Sequence, residues 1–236
     1  DDHTLTTTAQ DIHISNIWIG NEDSTGTYSA IRLKAAEYLL MTVESDEAGV
    51  AAVEIGEDGV NVERGRAIDC TFQGTASKTT PNKMKGFLIA DTARYNIHDV
   101  AVGNGLPGGM VDDSGFANIH ANMLSLNGGG LAGETDFNFK GNQTIGNNLY
   151  SASGGPGFSF AGDNQTFSGC MSRAATGTAH KVAGNYNNLQ LSAKDASADG
   201  IEIDGQLNYV SGIVEGCTDN GVVIDGDTNL GSYISN

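Results

Sequence analysis

The chain has 236 residues, enough for one well-buried domain, and its 33 glycines, 3 prolines and abundant Asn, Ser, Thr and Asp imply many turns and short strands rather than long helices. With 12 basic against 29 acidic residues the formal charge is −17, which repels phosphate backbones and anionic lipid surfaces, so no nucleic acid partner is expected. No apolar run approaches the ~20 residues of a membrane-spanning helix.

In chain order, the start carries neither an initiator Met nor a secretory n-region, h-region and cleavage site, so a mature, trimmed or partial chain is expected. The stretch "DIHISNIWIG" (11–20) alternates as a strand does and fits the second and third strands of a coil. First strands of further coils are then expected at "AIRLKA" from Ala30, "AVEIGE" from Ala52, "GFLIAD" from Gly86 and "GGMVDD" from Gly108. The last three are followed by "VNVERG", "YNIHDV" and "ANIHAN" as second strands. Two insertions, "GTASKTTPNKMK" from Gly74 and "NGGGLAGE" from Asn127, leave the same corner and bracket the coils that begin at Gly86 and Gly108, where they could wall a groove.

From residue 136 onward the pattern becomes a plain repeat. The segments "DFNFKG", "GFSFAG", "AHKVAG", "GIEIDG" and "GVVIDG" end on Gly141, Gly162, Gly184, Gly205 and Gly226, in steps of 21, 22, 21 and 21. Two positions before each glycine stands an apolar residue (Phe139, Phe160, Val182, Ile203, Ile224), the period-2 mark of a strand with one buried face. A second register follows in each coil, with Ile145, Phe167, Leu189, Val210 and Leu230 expected inside and an Asn shortly before each one. Asn suits tight bends and can hydrogen-bond from coil to coil. The fold class predicted is all-β: a single-stranded right-handed parallel β-helix of about ten coils of 21–22 residues, one domain over 1–236. At ~4.8 Å per coil it would be on the order of 45–50 Å long. Its ends are expected to be covered by neighbouring segments or subunits, because open strand edges aggregate. Cys70, Cys170 and Cys217, odd in number and without CxxC spacing, are expected as free thiols inside it.

Three groups of residues could carry chemistry. Asp91, Asp112 and Asp113 lie on the two bracketed coils, and Asp91 and Asp113 are 22 residues apart, so they are expected in equivalent positions about 5 Å from each other. Carboxylates so close shift one another's ionisation, as in a retaining glycosidase, or could hold Ca²⁺ through oxygen; a solvated turn has the same composition. Lys140 falls near their column. His98 and His120, each in an "Asn-Ile-His" string and also 22 apart, form a ladder to which His13 and Glu63 are comparable, and such imidazoles can act as bases or merely stack on a surface. They are expected on a different strand from the acids, and so not in one site with them. Trp18, between Ile17 and Ile19, is expected to point outward, and Tyr150, Tyr186 and Tyr209 are further exposed aromatics suited to glycan or protein contacts.

The run "SFAGDNQTFSGCMSRAATGTAHKVAGNYNNLQLSAKDASADGIEIDGQLNYVSGIVEGCTDNGVVIDGD" resembles the pectate-lyase-like β-helix superfamily, and within it the tailspike branch of bacteriophages and archaeal viruses. The resemblance is architectural and covers nearly the whole chain. It implies a virion-borne or extracellular protein that recognises, and in many members depolymerises, a cell-surface polysaccharide, assembled as a homotrimer. A structural or adhesive spike is the alternative. The sequence departs from relatives in lacking a "DFGAKGDG"-like opening, the "GGxGxDxUx" calcium repeat, the "DPHE" motif of alginate epimerases and the ordered signatures of polygalacturonases, so no catalytic residue is carried over by motif. Ice binding would need a flat Thr face, and the Thr144–Thr166 column is too short for one.

Overall fold

A computed structural model describes residues 5–7, 11–20, 29–34, 37–46, 48–56, 61–74, 84–126, 134–152, 154–225 and 233–235. The described elements are all strands, paired in parallel into two ten-stranded sheets and one two-stranded corner sheet. Each coil contributes one short strand of three to five residues to one sheet and one longer strand, of up to ten residues, to the other. The chain is therefore a parallel β-helix, as its repeat predicts.

The second and third strands of a coil are one continuous strand with a bend. In Ile97–Asn104, His98, Ala101 and Gly103 face inward, while Asp99 and Val100 are successive outward residues. Val100 has φ 52°, and Asn16, Thr42, Asp69, Asn122 and Asn148 take the same left-handed conformation at the same place in their strands. One such residue adds an extra outward position and turns the chain, so that both halves of the strand direct side chains to the interior.

Register fixes the core. The inward columns of the short-strand sheet run Ile31, Val53, Phe87, Val111, Phe137, Phe158, His180, Ile201 and Leu33, Ile55, Ile89, Asp113, Phe139, Phe160, Val182, Ile203. Phe137 stacks on Phe158 with centroids 4.8 Å apart, and Phe139 meets the Phe167 ring at 4.5 Å. The terminal glycines pack as tightly: a Cβ on Gly184 or Gly205 would lie 1.9 Å from the carbonyl oxygen of the glycine one coil earlier. Asn at the bends forms the expected coil-to-coil ladder. The Asn118 Oδ1 accepts from the Asn96 backbone N–H at 3.0 Å, Asn187 from Gln165 at 2.7 Å and Asn208 from Asn187 at 2.9 Å.

Several expectations are corrected by register. Ile145 pairs with Thr166 and is exposed, whereas Gly146 pairs with Phe167 and faces inward. The Phe167 ring fills the space above, since a Cβ on Gly146 would come within 2.1 Å of it. The same register leaves Thr144 and Thr166 out of one column. In the regular half, Phe137, Phe158, His180, Ile201 and Val222 step by 21, 22, 21 and 21 residues. Earlier coils vary, with 22 residues from Ile31 to Val53, 34 from Val53 to Phe87 and 26 from Val111 to Phe137. Most of both insertions, and Gly226 and Leu230, lie outside the described residues. Cys70 and Cys170 are buried free thiols as expected, and free Cys217 is half-buried.

Candidate functional site

The two coils singled out by their acids carry polar residues on both faces of the short strand Val111–Asp113. Asp112 points outward beside its register partners Leu88 and Asn138. Lys140 Nζ donates to its Oδ1 at 2.7 Å and Lys85 Nζ to its Oδ2 at 2.7 Å; Lys85 also reaches Glu134 at 3.3 Å. Burial alone would raise the Asp112 carboxyl, but the hydrogen bonds and charges of the two lysines outweigh it and hold the group below its ordinary value. Asp112 is therefore a fixed anion near neutral pH.

Asp113 faces the interior, where the columns of neighbouring coils place Ile89 and Phe139. Its register partner is Ile89 and not Asp91, because the corner from Ile89 to Ile97 takes 8 residues where the equivalent corner from Asp113 to Ile119 takes 6, so the step between the two short strands is 24 residues rather than 22. The Asp113 carboxylate, fully buried, accepts from the Gly115 N–H at 2.7 Å, from Asn118 Nδ2 at 3.0 Å and from His120 Nε2 at 2.8 Å. Asp113 and His120, on different strands as expected, are thus joined across the hollow of the coil, whereas the acids and the histidines were expected not to share a site. His98 and His120 are register partners, as their spacing predicts, with ring centroids 4.9 Å apart. Both are fully buried, so the ladder lies inside the helix and not on its surface. His98 Nε2 meets the Tyr38 hydroxyl at 2.7 Å. Burial, then the neighbouring His120, push the His98 imidazole well below its ordinary value, and burial pushes the Tyr38 phenol well above its own. His13 instead shares the column of Leu39, Arg66 and Ile97, and Glu63 pairs with Arg94 at the corner.

Outside, two adjoining clefts share Asp91, Ser114 and Lys140. One, of about 520 Å³, runs over the short-strand face past Arg32, Glu54 and Asp112; the other, of about 400 Å³, turns the corner to Arg94, Phe116 and Asn142. Arg32 pairs with Glu54 at 3.0 Å. Phe116 is half-buried, and Tyr95, an exposed residue at φ 55°, meets it edge to face at 6.1 Å. Asp91 is exposed at the junction of the clefts. Asp112 and Asp113, adjacent on one strand, point to opposite faces, so the three predicted carboxylates do not converge on one Ca²⁺. Trp18 is 65% exposed as expected but lies on the first long strand and lines neither cleft.

The structure thus brings Asp91, Asp112 and Lys140 to one groove and sends Asp113, His98 and His120 into the core behind it. Arg32, Glu54 and Lys85 had a faint signal in sequence, since each occupies a polar place in a strand otherwise apolar. Phe116 and Arg94 had none, because their corner adopts a bend that no local periodicity marks.

Among solved structures the chain is similar to ORF18 of Geobacillus virus E2, with 12% identity, a TM-score of 0.50 and coverage of 98% of this chain and 54% of that one. It is likewise similar to the enzymatically active domain of tailspike protein 2 of bacteriophage CBA120, with 15% identity, a TM-score of 0.51 and coverage of 98% and 38%. A GH87 α-1,3-glucanase catalytic domain in complex with tetrasaccharides aligns at 9% identity and a TM-score of 0.41, over 96% and 64% of the two chains. No family model and no curated protein matches the chain. The fold is that of a tailspike-like parallel β-helix, and the chain spans about half or less of the length of the two viral proteins.

Proposed function

We propose that this β-helix is a virion-borne or extracellular receptor-recognition protein that binds a cell-surface polysaccharide in the groove over the coils of Asp91 and Asp112. The observation that carries the reading is the continuity of the two clefts. They share Asp91, Ser114 and Lys140, so the groove runs from the strand face round the corner, and charged pairs in the first cleft offer donors and acceptors side by side. Sugar hydroxyls need both at once. Likeness of fold to a phage tailspike domain supports the same reading by analogy. Assembly as a homotrimer belongs to this proposal. It is supported by uncharged apolar side chains exposed on the long-strand sheet, among them Val100, Val102, Leu126 and Ile145. No resident cofactor is part of the reading.

The test is binding of purified surface polysaccharide by wild type, Asp112→Asn and Lys140→Ala, with folding followed by thermal melting. Lys140 is half-exposed, so its truncation spares the fold. Both variants are expected to bind roughly tenfold more weakly, as for loss of one charge-assisted contact. Unchanged binding in both would remove the groove from the reading. Assay of the same mixtures for reducing ends and unsaturated sugars separates cleavage from recognition: products formed by wild type and lost in Asp112→Asn locate chemistry beside that carboxylate.

A further inference from the structure

We infer that the groove is built for a neutral oligosaccharide, and that Phe116 is the platform for one of its sugar rings. The inference rests on the polysaccharide-binding reading above and narrows it to a ligand class.

Charge balance is the first ground. The whole chain carries 29 acids against 12 bases, yet the channel is lined by three cations, Arg32, Arg94 and Lys140, and three carboxylates, Glu54, Asp91 and Asp112. Behind them Lys85 sits between Asp112 and Glu134 and adds one charge of each sign. Most of these charges are already spent on one another, Arg32 on Glu54 and both lysines on Asp112. An anionic glycan would find, among the described lining cations, Arg94 alone outside these pairs, and would approach through the field of a protein with a formal charge of −17. A neutral glycan keeps the pairs intact.

The corner is the second ground. Phe116 lines the second cleft beside Asn142 and Arg94, and Tyr95 stands edge-on to it. Register holds this corner: Arg94 bridges to Phe116 in parallel, and the Tyr95 N–H donates to the Phe116 carbonyl at 3.1 Å. An aromatic side chain left half-exposed on so fixed a backbone offers an apolar surface for the C–H face of a pyranose ring, flanked by polar groups for its hydroxyls.

The experiment is a glycan-array screen of the full chain, followed by titration of the best neutral and best uronate- or sialate-containing oligosaccharides at low and high NaCl, with wild type and Phe116→Ala. Neutral oligosaccharides are expected to bind tightest, with affinity changing less than about twofold with salt. Phe116→Ala is expected to weaken them about tenfold while its melting temperature stays near wild type. If acidic glycans bind tighter and weaken steeply with salt, the neutral-ligand inference falls while the polysaccharide reading stands. If neutral glycans bind equally well without the Phe116 ring, the platform falls. If no glycan of either class binds, both the inference and the reading beneath it fail.

Discussion

Asp113 shows how one residue's side of a strand decides its role. On the outer face it would be a fourth groove carboxylate; one position of alternation places it inside, where it gathers donors from Gly115, Asn118 and His120. Removing an acceptor from such a cluster leaves buried donors unpaired. Asp113→Ala is therefore expected to cost on the order of 3–5 kcal/mol of stability. In a double-mutant cycle with His120→Ala the losses should be non-additive by roughly 1–3 kcal/mol, read by denaturant unfolding. Additive losses would mean that the two side chains are not coupled. Asp112, one residue away, should show the opposite balance: its replacement should affect ligand binding more than folding. That Asp113 is a core residue was not legible from its spacing to Asp91, because a two-residue lengthening of the coil is invisible without the register.

Strands stacked in register make each inward column a sequence of substitutions, and the columns here mix Phe and Ile with His and Asp. His180 stands in the column of Phe158 and Ile201, fully buried, with Nε2 2.8 Å from the Ser192 carbonyl. Burial lowers its imidazole to about 4 against the slight upward pull of that hydrogen bond. A histidine whose folded value lies below its unfolded one stabilises the fold above about pH 6.5, and the contribution is lost as pH falls toward 4. His98, also lowered, acts in the same direction. Buried Asp136, raised to about 6 by burial despite hydrogen bonds from Ser151, Ser125 and the Met110 N–H, acts oppositely: its contribution is present in acid and lost as pH rises through about 6. His180→Phe, which matches its neighbour in the column, should reduce the difference in unfolding free energy between pH 7 and pH 4 by roughly 3 kcal/mol. An unchanged difference would exclude His180 as a source of acid lability. The columns of the last coils were legible from period alone, because their steps are uniform. The Gly146 and Ile145 exchange was not, since it is the register of the stacked strands that sets Gly146 against Phe167 and Ile145 against Thr166.

For the whole molecule, self-association must overcome a formal charge of −17 per chain. Copies can meet only where charge is sparse. Exposed apolar side chains of the middle long strands, Val100, Val102, Leu126 and Ile145, lie on the long-strand sheet and not on the short-strand sheet that carries the groove. Light scattering should give three times the 24.5 kDa of one chain at micromolar concentration. A monomer there would remove the trimer from the proposal while leaving the groove untouched.

Spacing by itself determined the coil, its strands, the stacked glycines and the Asn ladder, because a parallel β-helix repeats one chemical requirement at each turn and so writes its period into the chain. It also determined that His98 and His120 are register partners. Only the tertiary structure decided which face Asp113, His98, His120, Ile145 and Gly146 take. Coil lengths vary in the first half, and a single left-handed residue in each long strand adds an extra outward position. The meeting of Asp113 with His120 across the core, and of Arg94 and Phe116 with Asp91 and Lys140 outside it, depends on those bends and not on any local pattern.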